Sequence, residues 1–128
     1  MAFGRLVGWT IVWRYLPGDL LGLTDYEAKE VALDPRQDRI ERRCTIEHER
    51  HHAIRGPVPD FYWPREERIV DELAARSLIA LDDLVDALRW AHCVHELADE
   101  LSVDVPTAQA RLTTLTREEQ REVARRLG

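Results

Sequence analysis

The chain predicts an α+β fold, and three observations carry that reading. The first third holds a stretch rich in β-branched and aromatic residues at strand periodicity. Two segments of helical character follow, separated by a break containing Gly56, Pro57 and Pro59. From Leu81 to Gly128 the chain reads as helix throughout. The expected architecture is a small N-terminal antiparallel β-sheet, two consecutive helices and a C-terminal helical segment. Residues 1–80 would form the core and 81–128 would pack on it.

Leu6 to Leu16 supplies the strand signal. Val7, Trp9, Ile11, Trp13 and Tyr15 fall on one side at period two, which makes Trp9 and Trp13 sheet-face core rather than a ligand platform. Pro17-Gly18 ends this strand, and Gly22 marks a further break. Thr24–Ala28 and Val31–Leu33 read as two short strands with a turn near Lys29-Glu30. Asp34-Pro35 closes the sheet, because the residue before a proline is kept out of the helical region.

A helix is expected from roughly Asp38 to Ile54, with Asp38 as its N-cap and with Ile40, Cys44 and Ile46 making apolar contacts. Asp60-Phe61-Tyr62-Trp63-Pro64 is an aromatic connector. Pro64 suits the first turn of a second helix, where Glu66 and Glu67 meet the positive end of the dipole. Ile69, Val70, Leu73, Ala74 and Ser77 trace that helix's packed face. Farther on, Leu84, Leu88, Ala91, His95 and Ala98 recur at heptad-like spacing, with Asp82 or Asp83 as a cap. Residues 96–103 followed by 106–115 resemble the first two helices of a helix-turn-helix. Arg111 is the one basic residue in the second of them, which favours helix packing or partner docking over groove binding. Thr116-Arg117-Glu118-Glu119 opens a last helix that closes on Arg125-Arg126.

Chemistry concentrates in Thr45–His52. There His48, Glu49 and His52 spell H-E-x-x-H, the spacing that zinc peptidases place on a helix. Residues i and i+4 share one helical face, so two imidazoles can converge on one ion. Glu49 sits on the neighbouring edge and can act on a water there without ligating the metal. A third ligand is needed, and Glu66 and Glu67 are the candidates at the start of the next helix. Periodicity does not separate them, although Asp71, one turn beyond Glu67, could hold a ligating histidine by its other ring nitrogen. Cys44 lies one turn before His48 and reads as a packed thiol rather than a ligand. His92-Cys93-Val94-His95-Glu96 carries ligand residue types in an order that matches no known zinc motif.

Taken together, Thr45–His52 followed by Glu67-Arg68-Ile69-Val70-Asp71-Glu72-Leu73-Ala74-Ala75 resembles the ImmA/IrrE-type metallopeptidases, over roughly Ile11 to Leu81. That family has a gluzincin arrangement, with H-E-x-x-H on one helix and an E-x-x-x-D glutamate on the next. The resemblance implies zinc held by His48, His52 and Glu67, with Glu49 as general base and Asp71 behind the ligands. Where the family often has glycine before the second histidine, this chain has His51. The implied activity is zinc-dependent, site-specific cleavage of an intracellular regulatory protein, such as a repressor-like regulator. An oxyanion donor would come from Tyr62, His92 or His95. The alternative is a non-catalytic zinc-containing binding module acting through the C-terminal helices. An intact Glu49 argues against it, since a structural site has no need of a base.

Composition bounds these readings. Hydrophobic residues make up 45% and charged ones 33% of 128 residues, an ordinary globular balance. A formal charge of -6 argues against general affinity for nucleic acid phosphates, so specific nucleic acid binding is not expected, and the partner that the resemblance implies is a protein or peptide substrate. Cys44 and Cys93 make no C-x-x-C pair and suit a reducing compartment. The apolar run Leu6–Trp13 is short for a secretory signal, and no stretch is long enough to span a bilayer. The expectation is a cytoplasmic protein with no membrane partner.

Overall fold

The computed structural model describes residues 2, 3 and 6–128, with side chains from Leu6 onward. The fold is α+β: strands at the N-terminus, then six α-helices. It divides into two compact units, Met1–Val70 and Asp71–Gly128.

The first unit is built on a sheet of four strands: β1 (Ala2–Phe3), β2 (Leu6–Trp13), β3 (Gly22–Asp25) and β4 (Glu30–Leu33), in the order β1-β2-β4-β3. The sheet is mixed rather than wholly antiparallel. β1 and β2 are antiparallel, as are β3 and β4, but β4 runs parallel to β2, with Ile11 opposite Val31 and Trp13 opposite Leu33. The physical reason lies in β4. Val31, Ala32 and Leu33 are all buried, so the strand belongs in the centre, where both faces are covered. Pairing sequence neighbours in succession would have left β4 on the edge. The β3–β4 turn starts earlier than expected because the Asp25 carboxylate accepts from the backbone of Glu27 (3.1 Å) and Ala28 (3.0 Å) and ends the strand there. Lys29, in the left-handed region at φ 53°, completes the turn.

The expected five-residue stripe on β2 holds for Trp9 and Ile11, which pack with Leu6 and Ile46 against Val31, Leu33 and Ala53. Val7 and Tyr15 are exposed and Trp13 is half-exposed, its ring beneath the Arg42 guanidinium at 5.9 Å. Gly8, at φ 85°, lies in the stretch of β2 where its pairing with β1 shifts register, and this break in alternation lets both Leu6 and Trp9 face the core.

After β4, Asp34 is buried and ties the strand ends together. Its carboxylate accepts from the Leu16 N–H at 2.8 Å and from the Arg36 Nε and backbone N–H at 2.9 and 2.8 Å. Helix α1 (Arg39–Arg55) follows. Asp38 caps it as expected, in a reciprocal box: Glu41 N–H donates to Asp38 Oδ1 at 2.8 Å and Asp38 N–H to Glu41 Oε1 at 3.1 Å. Gly56, at φ 87°, ends it and donates its N–H to the His52 carbonyl at 2.9 Å. A single 3-10 turn, Asp60–Tyr62, then leads into α2 (Trp63–Leu78).

The second unit holds the latter part of α2 and four short helices: α3 (Leu81–Leu88), α4 (Val94–Leu101), α5 (Val105–Thr113) and α6 (Arg117–Leu127). Its core is Ala74, Ala75, Ile79, Leu84, Val85, Leu97, Ala98, Val103 and Ala108. The heptad-like spacing from Leu84 to Ala98 is interrupted, since the helix stops at Leu88 and restarts at Val94. Neither Asp82 nor Asp83 caps α3. Ala80 occupies that position without a side-chain bond, and Asp82 instead pairs with Arg126 at 2.6 Å. α4 and α5 form the expected helix pair around a turn at Ser102. Arg111 is buried, donating through Nε to the Ile79 carbonyl at 2.9 Å. Among the described residues, no helix is long and apolar enough to cross a membrane.

Candidate metal centre

The site lies within the first unit, on α1 and the first turns of α2. The helix supplies His48 and His52 one turn apart, and their Nε2 atoms stand 3.2 Å from each other. Glu67 reaches both. Its Oε1 is 2.6 Å from His52 Nε2 and its Oε2 is 3.2 Å from His48 Nε2. The two histidines hydrogen-bond this carboxylate, His48 first, and hold its carboxyl down at about 2. Each of the three residues offers one ligand atom, and these atoms lie within 4.8 Å of one another, so the group could hold a metal ion. Two imidazole nitrogens and a carboxylate oxygen are a chemically suitable donor set, and three protein ligands leave a coordination position over.

Glu66, the neighbouring candidate, is turned the other way. It is buried and bound by both arms of Arg55, Nε to Oε2 at 2.6 Å and Nη2 to Oε1 at 2.9 Å, which keeps its carboxyl below the ordinary range. Arg55, on the last turn of α1, thus engages Glu66, while Glu67 joins the two histidines. Cys44 and His51 lie outside the three-residue group. Cys44 is buried, and His51 sits 3.4 Å from Glu47, its pKa lowered by burial.

Glu49 is 6% exposed. Burial pushes its carboxyl above the ordinary range, and the charges of His48 and His52 act in the opposite direction. β3 closes over it. A Cβ on Gly22 would lie 2.6 Å from Thr45 Cγ2 and 2.8 Å from Glu49 Cγ, so only glycine permits this approach of strand to helix. Thr24 donates its hydroxyl to the Glu49 carbonyl at 3.3 Å, and Tyr26 donates to the His52 carbonyl at 3.3 Å. The Tyr26 hydroxyl is pushed up to about 12, by burial first and then by the charges of Glu49, Glu66 and Glu67.

Gly22, Thr24, Tyr26, Arg55 and Trp63 are thus parts of the site that motif spacing alone did not single out. Two of them carried a signal. Gly22, read from the sequence as a break, is instead the first residue of β3, and a glycine in a strand marks a close backbone approach. Trp63 precedes Glu67 by one helical turn and so shares its face, and its indole stacks on the His52 ring at 5.0 Å and 8°. Asp71, one turn beyond Glu67, is exposed and falls in the second unit. Of the residues expected to serve an oxyanion, Tyr62 is about half exposed in the turn before α2, while His92 and His95 are exposed in the second unit. No model of a known protein family, no curated protein and no solved structure matches this chain.

Proposed function

We propose that this chain is a zinc-dependent endopeptidase acting on an intracellular regulatory protein, with His48, His52 and Glu67 as ligands and Glu49 as general base. The convergence of the two Nε2 atoms on one carboxylate, at 2.6 and 3.2 Å, carries this reading. A zinc ion there would supply Lewis acidity toward a scissile carbonyl and make a water molecule acidic near neutral pH. Glu49 takes the proton of the attacking water and returns it to the leaving amine. Its burial suits the task, because a desolvated carboxylate holds a proton more strongly than an exposed one. β3 is an edge strand of the sheet and its Gly22 lies against Glu49, so an extended peptide pairing with that edge would pass beside the base.

The test is Glu49→Gln. Glutamine keeps the size and the hydrogen bonding of the side chain but cannot accept the proton. The variant should retain one zinc per chain by metal analysis and lose about 10²–10⁴ in cleavage rate toward candidate regulators read as fragments. Cleavage at the wild-type rate would remove Glu49 from its role. Tight binding of a candidate by both proteins, with cleavage by neither, would point to a binding module.

A further inference from the structure

His52 is buried at 2% exposure, and its Nδ1 has no hydrogen-bond partner among the described residues. This is unusual for an imidazole in such a cluster. Ligating histidines ordinarily owe their ring orientation to a hydrogen bond at the second nitrogen. Two aromatic contacts take up the ring instead. The Trp63 indole lies parallel to it, 5.0 Å away at 8°, and the His48 ring meets it edge-on at 4.9 Å and 69°. His48 is itself one of the three converging groups, so Trp63 is the support that comes from outside them. It is 44% exposed, which means that one part of its surface covers His52 while the rest faces solvent. Trp63 and Glu67 leave α2 one turn apart on the same face, so the helix that delivers the carboxylate also delivers the plate on which the imidazole rests.

We propose that Trp63 is a positioning residue for His52, holding the imidazole plane by stacking in place of the hydrogen bond that Nδ1 lacks. The role rests on the zinc reading above. A Trp63→Leu variant removes the flat aromatic face while keeping an apolar side chain, and Trp63→Phe keeps a smaller one.

The probe is Co2+, titrated into metal-free protein with affinity read by chelator competition and coordination by the visible absorption band. Trp63→Leu should weaken Co2+ binding about 10–100-fold, the range for losing an outer support of a ligating histidine, and Trp63→Phe should recover most of it. In the metal-free wild type, the His52 ring protons should be shifted upfield by the indole ring current and return toward ordinary positions in Trp63→Leu. Wild type that takes up no Co2+ overturns the metal reading and the positioning role with it. Tight wild-type binding that is unchanged in Trp63→Leu overturns the positioning role alone. Unshifted His52 protons in the wild type overturn the stacking however the variants behave.

Discussion

Glu66 and Glu67 are adjacent carboxylates with opposite engagements, and the difference is testable one residue at a time. Glu67 meets two imidazoles, whereas Glu66 is buried against the guanidinium of Arg55. Glu67→Ala should abolish stoichiometric zinc binding in equilibrium dialysis and lower stability as well, since it removes the 2.6 Å partner of the buried His52 Nε2. Glu66→Ala should keep the metal and cost on the order of 2 kcal/mol in urea unfolding, because it removes two charge-assisted hydrogen bonds from a buried acceptor. The reverse pattern, with metal lost in Glu66→Ala and kept in Glu67→Ala, would exchange their roles. Sequence reached both candidates but could not rank them from spacing. Adjacent residues on a helix differ by their partners, and Arg55 becomes a partner only when α1 and α2 are brought together.

At the scale of elements, the contact of β3 with α1 sets the floor under Glu49. Thr45 cannot turn freely out of the way, because its hydroxyl lies 2.8 Å from both Gln37 Oε1 and the Glu41 carbonyl. Gln37 is in turn anchored through Nε2 to the carbonyls of Leu21 and Asp34 at 3.0 and 2.8 Å. Gly22→Ala therefore has to push strand and helix apart. A loss of about 1–3 kcal/mol is expected from overpacking, measured as a lower urea midpoint. An unchanged midpoint would mean that the interface has slack that the distances do not suggest. Much of α1 was legible in advance, because its cap, its Gly56 stop and the His48/His52 spacing are local features governed by helical geometry. Its packing was not, since two of its buried residues are Glu49 and His52, and a buried polar face gives no hydrophobic period. The parallel pairing of β2 with β4 was likewise hidden. Strand order is decided by long-range burial of Val31, Ala32 and Leu33, and the alternation on β2 is broken at Gly8.

Across the whole molecule, the acidic excess is unevenly shared. Residues 71–128 carry twelve acidic and seven basic side chains, against twelve and eleven in residues 1–70. Much of what offsets the repulsion in the second unit passes through Glu119. It accepts from Arg76 at 2.7 and 3.1 Å, from Arg111 at 3.1 Å and from the Thr116 N–H at 2.9 Å. Arg76 first, and then the cap and Arg111, hold its carboxyl down at about 2, below the ordinary value of about 4.3. A depressed folded-state pKa means that the stabilisation is complete above the unfolded value and is lost as pH falls through the folded one. The window is therefore roughly pH 4.5 down to 2. Asp34, in the first unit, is held below the ordinary range chiefly by Arg36 and acts in the same direction, so wild-type acid sensitivity alone would not isolate Glu119. A matched variant does, because Asp34 titrates in both proteins and, sharing no partner with Glu119, cancels in the difference. Glu119→Gln should be less stable than wild type at pH 7 by on the order of 2 kcal/mol, the buried Arg111 losing its carboxylate partner. That gap should shrink steadily from pH 4.5 to 2.5, read as urea midpoints by far-UV circular dichroism. A gap that stays constant to pH 2.5 would show that the ionised carboxylate contributes nothing and that the loss comes from the altered cap of α6.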